Sequence, residues 1–413
     1  MDALGRWVSA LGLAMLFGCG LLSLLLSCCR QIESRIPGPP APPIPVPPGA
    51  TSDVRVLMAS GVASFKVASR SLGHWIDDSV PSVPRPLLTA GATWTVTVNA
   101  AGNVCLNGHG LPAARVVLRP QDHIFLLDGR SYRGDLAVQA NSQGLLTAIE
   151  TLPLEDYVRG VVACEMSSRW PLEALKTQAV AARTYALYRL SPDGHNRPYL
   201  TRMDLAYRGV EGENLWADQA TAATAGMVMT WNAPGRPTST GEGRLFPSYF
   251  HSTCGGATTS AQRVWNERPI APLCGVDCPW CKASPYWRWT ARVSAADIAE
   301  ALARANVQDV ASVTGVQPLD SDASHYARHV LVNGALKLDA NTFRLAVGGR
   351  LLRSAAFEVK PQDGAFEFAG RGWGHGVGLC QWGARGMAEA GYGWQDILKH
   401  YYPGVSVVPR KPR

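Results

Sequence analysis

The stretch LPLEDYVRGVVACEMSSRWPLEALKTQAVAARTYAL, residues 152–187, contains the strongest helix signal of the chain, with a glutamate just ahead of it. We predict a helix that begins near Pro171 and covers PLEALKTQAVAARTYALYRL, because proline suits the first helical position and the five alanines favour propagation. Glu165 follows an apolar run, residues 160–164. A carboxyl group partly withdrawn from water has a raised pKa, which suits a general acid near neutral pH.

The same helix carries two cations beside its apolar stripe. Lys176 and Arg183 are seven residues apart and therefore lie on one side of the helix. Two cations near a carboxylate would suit a polar substrate. The alternative is an acidic residue at the start of a helix and two long side chains whose stems cover apolar surface. Taken alone, the pattern favours this alternative.

Short strand-like runs with turn residues between them dominate the chain ahead of this helix. We predict strands at 53–58, 93–98, 115–118, 132–138 and 145–149. Further helices are predicted at Ala295 to Ala305 and at Trp394 to Tyr402. The expected fold is therefore α+β, a strand-rich body with one long central helix that carries the active-site groove.

The N-terminal end predicts a membrane tether. Residues 8–28 are an uncharged apolar run long enough to cross a bilayer, and they also resemble a signal sequence. Cys28 ends a stretch similar to a lipoprotein box, so a lipid anchor and an uncleaved anchor both stay open. Eight prolines follow within residues 36–49 and indicate a stiff spacer. The predicted organisation is an anchor at 1–30, a linker at 31–52, a body at 53–406 outside the cytoplasm, and a basic tail at 407–413.

Composition limits the class of protein. The 413 residues are 46% hydrophobic, which excludes a largely disordered chain, and the ten cysteines are too few for a disulfide-stapled miniprotein. The net charge is +7, but the basic residues are scattered. A charge of this size is weak evidence for any partner, and an anionic cell-envelope polymer would suit it as well as nucleic acid. Nucleic acid is not predicted as a partner.

Four cysteines form a C-x₁₉-C-x₃-C-x₂-C set: Cys254, Cys274, Cys278 and Cys281. The spacing suits tetrahedral zinc bound by four thiolates, or by three thiolates and His251, which lies three residues before the set. Outside the cytoplasm the same four could form two disulfides or stay as free thiols. Three further cysteines have no obvious partner in the sequence: Cys105, Cys164 and Cys380.

A glycine-rich block near the C-terminus predicts substrate contacts. Glycines alternate from Gly370 to Gly378, with Trp373 and His375 among them. The pattern is not a nucleotide-binding fingerprint, because it lacks the strand, helix and acidic residue that accompany one. Aromatic and polar side chains on a loop that lets the backbone approach closely suit a sugar-binding groove. Trp373, His375 and Gln381 are the predicted substrate contacts, although a tight turn around a core Trp373 would give the same pattern.

Residues 152–187 closely resemble the signature of the SpoIID/LytB family. The resemblance continues through three further blocks in the same order, at 132–157, 250–260 and 370–404, and covers most of 53–406. In catalytic members of this family the glutamate of a Ser-Glu-Met block is the essential acid, which corresponds to Glu165. The helix lysine and arginine of the family pattern correspond to Lys176 and Arg183, which the resemblance implies are catalytic too.

The resemblance implies a cell-wall function with two alternatives. Sporulation-type members are lytic transglycosylases that cut peptidoglycan glycan strands and leave 1,6-anhydro-muramic ends, a reaction that one glutamate can carry without a cofactor. LytB-type relatives are described as enhancers of an N-acetylmuramoyl-L-alanine amidase. Sporulation-type members also carry a His/Cys zinc motif after the catalytic helix. The corresponding residues 194–203 contain no cysteine, so that metal site is predicted absent.

Overall fold

The computed structural model describes residues 53–77, 84–111, 113–232, 243–307 and 310–410. The predicted anchor at 1–30 and linker at 31–52 lie outside the described residues. Among the helices described, none combines the length and the apolar character needed to cross a bilayer.

Eight helices are found in the described part of the chain. They are α1 Leu154–Glu165, α2 Leu172–Leu190, α3 Leu215–Ala223, α4 Ala261–Trp265, α5 Ala295–Arg304, α6 Ala340–Val347, α7 Gln381–Glu389 and α8 Trp394–Tyr401. The predicted helices at 171–190, 295–305 and 394–402 correspond to α2, α5 and α8, whereas α1 was not predicted.

Strands fill most of the chain ahead of α1. They are β1 Asp53–Val62, β2 Phe65–Ser69, β3 Gly73–Asp77, β4 Pro84–Leu88, β5 Thr93–Val98, β6 Val104–Leu106, β7 His109–Gly110, β8 Arg115–Pro120, β9 Ile124–Leu127, β10 Arg130–Arg133, β11 Asp135–Ala140 and β12 Leu146–Pro153. Shorter strands follow: β13 Leu200–Thr201, β14 Met227–Thr230, β15 Phe250–His251, β16 Trp289–Ser294, β17 Val316–Leu319, β18 His329–Val332, β19 Leu336–Asp339, β20 Phe357–Gln362, β21 Ala365–Gly370, β22 Leu379–Cys380 and β23 Ser406–Pro409. The mixture of helices and several separate sheets confirms the α+β class.

Two large sheets are built from the first thirteen strands. The seven-stranded sheet has the order β13-β1-β12-β11-β8-β3-β4, and the six-stranded sheet has the order β10-β9-β2-β5-β6-β7. Strand β12 lies between β1 and β11, antiparallel to both, and its buried residues alternate from Leu146 to Leu152. The chain passes from β12 directly into α1, so this sheet fixes where α1 begins.

The single strand predicted at 132–138 is wrong. Gly134 has φ +82° and separates β10 from β11, which belong to different sheets. A side chain at Gly134 would collide with the carbonyl group of Thr151 on the neighbouring strand β12. Glycine is needed there because it alone combines a positive φ with so close a backbone approach.

Helix α2 is the longest helix in the described part of the chain. It packs against α1, α3, α7 and α8, and its residues are buried without a break from Thr177 to Leu187. The expectation of one apolar stripe with cations beside it is therefore wrong, because this helix is enclosed on all sides over three turns.

A second hydrophobic core forms between residues 289 and 368. It lies between the three-stranded sheet β16-β21-β20, a second sheet β17-β18-β19, and the helices α5 and α6. Strand β23 returns to pair with β14 through Pro409, so the folded body extends three residues beyond its expected end at 406.

Candidate functional site

Glu165 is the last residue of α1 and is half-buried. Two neutral donors hold its carboxylate. The backbone N–H of Ala206 donates to Glu165 Oε1 over 2.9 Å, and the side-chain amide of Gln381 donates to Oε2 over 3.3 Å. Residues distant in sequence therefore meet at this carboxyl group.

The surroundings of Glu165 favour the protonated acid. Burial raises its pKa above the usual value, and the hydrogen bonds from Ala206 and Gln381 offset only part of that increase. A helix C-terminus also carries partial negative charge, which disfavours a second negative charge there. The predicted elevation of the Glu165 pKa agrees with this geometry.

Gln381 reaches Glu165 because of an unusual strand pairing. The two-residue strands β15 and β22 pair in parallel, with His251 opposite Cys380. Helix α7 starts immediately after β22, with Gln381 as its first residue. Gln381 is 7% exposed, and its amide also contacts Gln178 Oε1 of α2 over 3.3 Å. The sequence singled out Gln381 but missed Gln178 and Ala206, which carry no motif.

The Arg183 side chain is buried and does not reach the protein surface. Its guanidinium forms two bonds to Glu155, from Nε to Oε1 over 2.8 Å and from Nη2 to Oε2 over 2.6 Å, and both side chains are fully buried. The carbonyl of Met227 accepts a further bond from Arg183. This pair joins α2 to the first turn of α1, so Arg183 positions the helix that ends in Glu165 and does not line the site.

Lys176 is bound to a residue of its own helix. Its Nζ lies 2.7 Å from Glu173 Oε1, and the other oxygen of Glu173 accepts a bond from the backbone N–H of Trp394. Lys176 thus belongs to the contact between α2 and α8.

Trp373 and His375, the two other predicted substrate contacts, lie in the glycine-rich block but have different surroundings. Trp373 is half-buried, its ring centroid lies 4.3 Å from that of Tyr286 in an edge-on arrangement, and the Arg353 guanidinium lies 5.9 Å from the Trp373 ring. His375 instead uses both ring nitrogens on the backbone: Nδ1 accepts from the N–H of Val377, and Nε2 lies 2.9 Å from the carbonyl of Phe250. Burial lowers the pKa of His375 and keeps it neutral.

Two tryptophans that the sequence did not predict as site residues come shortly after Glu165 and Gln381 in the chain. Trp170 lies five residues after Glu165, and Trp382 directly follows Gln381. Their rings meet edge-on with centroids 5.1 Å apart, and the Arg385 guanidinium lies 4.8 Å from the Trp382 ring. Both tryptophans are half-buried.

A basic cavity shares a residue with the site. It has a volume of about 460 Å³ and includes Ala206 in its wall. Three arginines line it: Arg130, Arg202 and Arg208. Positive charge around a cavity of this size suits an anionic group of a ligand.

The structure brings together three of the four cysteines predicted as metal ligands. Cys254, Cys278 and Cys281 converge, but their fourth neighbour is Cys380, and Cys274 is exposed. The four sulfur atoms lie within 4.8 Å of one another and all four residues are buried, so the cluster could hold a metal ion. Sequence spacing could not reveal Cys380, because the β15–β22 pairing brings it to Cys254 across more than a hundred residues.

Two family models match parts of the chain. A family model described as "Stage II sporulation protein" matches residues 142–231, which include α1 and α2. A second model, described as a domain of unknown function, matches residues 280–378 and so covers the second core.

Three relatives extend the likeness. An uncharacterized protein of Brachyspira hyodysenteriae is 34% identical over 306 residues, 73% of this chain and 79% of that protein. The stage II sporulation protein D of Bacillus amyloliquefaciens is 33% identical over 279 residues, 63% of this chain and 75% of that protein. The amidase enhancer of Bacillus subtilis is 25% identical over 411 residues, 87% of this chain and 56% of that protein. The family model and these relatives support a cell-wall-related role for a chain with this α+β fold. The chain belongs to the SpoIID family.

Proposed function

We propose that this protein is a peptidoglycan lytic transglycosylase that uses Glu165 as its acid and base. The observation that supports this proposal is the half-buried carboxyl group of Glu165, which accepts hydrogen bonds from two neutral donors and has a pKa raised by burial. Membership of the SpoIID family supports a cell-wall role. Residues 1–30 are the proposed tether to the membrane at the cell envelope.

One carboxyl group can carry both steps of the reaction. The protonated Glu165 gives its proton to the glycosidic oxygen as the bond to the muramic C1 breaks. The 6-hydroxyl of the same sugar then attacks C1, and its proton passes to the Glu165 carboxylate. A 1,6-anhydro end forms, the acid is regenerated and no water is consumed. This route needs no cofactor, so a zinc ion at the cysteine cluster would be structural.

The contacts of Glu165 suit this double role. Ala206 and Gln381 each occupy one carboxylate oxygen and so fix the plane of the group, while neither carries a charge that would hold it ionised. We assign Gln381 to orient Glu165 and to contact the sugar. The rings of Trp373, Trp170 and Trp382 are the proposed glycan contacts, because partly exposed aromatic rings cover sugar rings well.

The proposed binding site for the anionic group of the substrate is the basic cavity beside Ala206. Muramic acid carries a lactyl carboxylate, and a cation must meet it. Arg183 is fully buried and Lys176 lies in the contact between α2 and α8, whereas Arg130 and Arg202 line the cavity and are the proposed cations for this group. The sequence left open whether Lys176 and Arg183 hold this carboxylate or orient Glu165, and we propose only the second role for Arg183.

A second candidate function is stimulation of an N-acetylmuramoyl-L-alanine amidase without cleavage. The amidase enhancer of Bacillus subtilis matches 87% of this chain, more than the 63% matched by the sporulation protein D relatives. In this case the same groove would hold glycan and recruit the amidase.

The test is incubation of the purified full-length chain with intact peptidoglycan and with glycan strands stripped of stem peptides. Products are read by mass spectrometry beside a Glu165→Gln control. Anhydro-muramic ends that disappear in the control support the enzyme. Absence of products from both substrates, with glycan binding retained, would favour the amidase enhancer.

A further inference from the structure

Four buried cysteines converge from three separate parts of the chain. Cys254 follows β15, and Cys380 ends β22. Cys278 precedes a short 3-10 helix, Pro279–Cys281, of which Cys281 is the last residue. Their sulfur atoms all lie within 4.8 Å of one another, and Cys254 Sγ is 3.5 Å from Cys281 Sγ. Zinc–sulfur bonds of about 2.3 Å in a tetrahedron place sulfur atoms about 3.8 Å apart. A disulfide requires about 2.05 Å, so the spacing fits four ligands around a centre and not two bonded pairs.

Polar groups already point at these sulfur atoms. The backbone N–H groups of Cys254 and Gly383 each donate to Cys380 Sγ over 3.3 Å, and the Tyr401 hydroxyl lies 3.0 Å from Cys278 Sγ. Cys380 also caps the N-terminus of α7, where the helix dipole favours negative charge. Donors of this kind stabilise thiolate ligands and orient them toward a metal.

Gly383 keeps space for this arrangement. A Cβ atom at that position would lie 2.7 Å from Cys278 Sγ and still closer to the hydroxyl of Tyr401. No side chain larger than hydrogen is therefore compatible with the approach of α7 to the cysteines. The first turn of α7 is shaped around the cluster.

We propose that Cys254, Cys278, Cys281 and Cys380 bind one structural Zn²⁺ ion, and that this ion fixes the start of α7 beside Glu165. Soft thiolate ligands in a tetrahedron select zinc, and each cysteine loses its thiol proton to solvent on binding. The ligand set differs from the spacing motif of the sequence, because Cys274 is replaced by Cys380.

The position of Cys380 links the metal to the site. Gln381, the next residue, donates to Glu165 and touches Gln178, while the other ligands hold the segment after β15 and the loop at 278–281. A metal that joins these segments limits the movement of Gln381. The metal site itself does not depend on the proposed reaction, whereas its effect on Glu165 as an acid does.

The test is metal analysis of the full-length chain, produced with zinc in the medium and purified without chelator. We expect one zinc per chain, bound also by the Cys274→Ser control and lost from Cys380→Ser. Loss of zinc from the Cys274 variant, or retention in the Cys380 variant, would overturn the ligand set. Since no peptidoglycan is present, failure here is separate from failure of the proposed function.

A measurement on the unmodified chain covers the case in which Cys380→Ser does not fold. Exchange of zinc for Co²⁺ should give the visible absorption of a tetrahedral thiolate complex. Chelation should speed amide hydrogen exchange at Cys254 and Gly383 but leave strand β12 protected. An unmodified chain that binds no metal, and in which peptide mapping finds two disulfides among these four cysteines, would contradict the proposal.

Discussion

The two ends of helix α1 carry glutamates with opposite surroundings. Glu155, in the first turn, is fully buried and meets the Arg183 guanidinium through two short bonds. Glu165, at the last residue, is half-buried and, within the described part of the chain, accepts hydrogen bonds from a backbone N–H and a side-chain amide. The buried pair of Glu155 and Arg183 joins two helices and so serves structure. A carboxyl group that accepts hydrogen bonds from neutral donors can gain and lose a proton, as a general acid must. Helix α1 therefore has a structural glutamate at its start and the proposed catalytic glutamate at its end.

The largest effect is expected from Glu165→Gln. The amide keeps the size and polarity of the side chain but cannot transfer a proton, so cleavage should fall by about 10²- to 10⁴-fold. Folding should be little changed, because burial already favours the uncharged carboxyl group. Release of anhydro-muramic products and thermal unfolding, measured on the same preparation, check both statements.

Glu155→Gln should lower the stability of the fold, in contrast to Glu165→Gln, which should lower activity. It leaves the Arg183 charge buried without its partner, which is expected to cost about 3–5 kcal/mol of unfolding free energy. Urea unfolding measures the loss. The double variant Glu155→Leu with Arg183→Met serves as a control and should recover most of that stability, since it removes both charges. A single variant as stable as the native chain would contradict the structural role of the pair.

Glu150 provides a third carboxyl group that sharpens the comparison. It is fully buried on β12, accepts a 2.8 Å hydrogen bond from Tyr207, and burial raises its pKa to about 8. The folded chain therefore holds a proton there that the unfolded chain releases above its ordinary pKa of 4.5. Stability should decline as pH rises from 4.5 to 8. Glu150→Gln should lessen that decline and add about 1–3 kcal/mol at pH 8, as measured by urea unfolding across pH.

The smallest effect is expected from Gln381→Ala. The amide of Gln381 lowers the pKa of Glu165, so its removal should raise that pKa further. The alkaline limb of the pH–rate profile then moves to higher pH, because the acid stays protonated longer. Gln178→Ala is the matched control, since Gln178 contacts Gln381 and has no bond to Glu165 among those described. An unchanged limb in Gln381→Ala, or an equal shift in both variants, would show that the contact does not tune Glu165.

Local signals in the sequence predicted local structure well. The proline and alanines of α2 marked a helix, and the apolar run before Glu165 marked a partly buried acid. Neither Gly134 nor Arg183 could be interpreted in this way. The break at Gly134 depends on the Thr151 carbonyl of a neighbouring strand, and the burial of Arg183 depends on Glu155 of another helix.

Contacts between distant segments limited the prediction of the site. Gln381 was singled out by its glycine-rich surroundings, but Ala206 acts through a backbone N–H that has no sequence signature. Cys274 fitted the zinc spacing better than Cys380 did, yet the parallel pairing of β15 with β22 brings Cys380 to the cluster. Residue type and spacing indicated which chemistry to expect, whereas strand pairing decided which residues take part.

The most direct test of the central claim compares Glu165→Gln with the native chain on the same peptidoglycan, with muramic ends identified by mass spectrometry. We predict anhydro-muramic ends from the native chain and none above background from a variant with unchanged thermal unfolding. Equal yields of anhydro ends from both proteins would show that another group supplies the proton and would contradict the role assigned to Glu165.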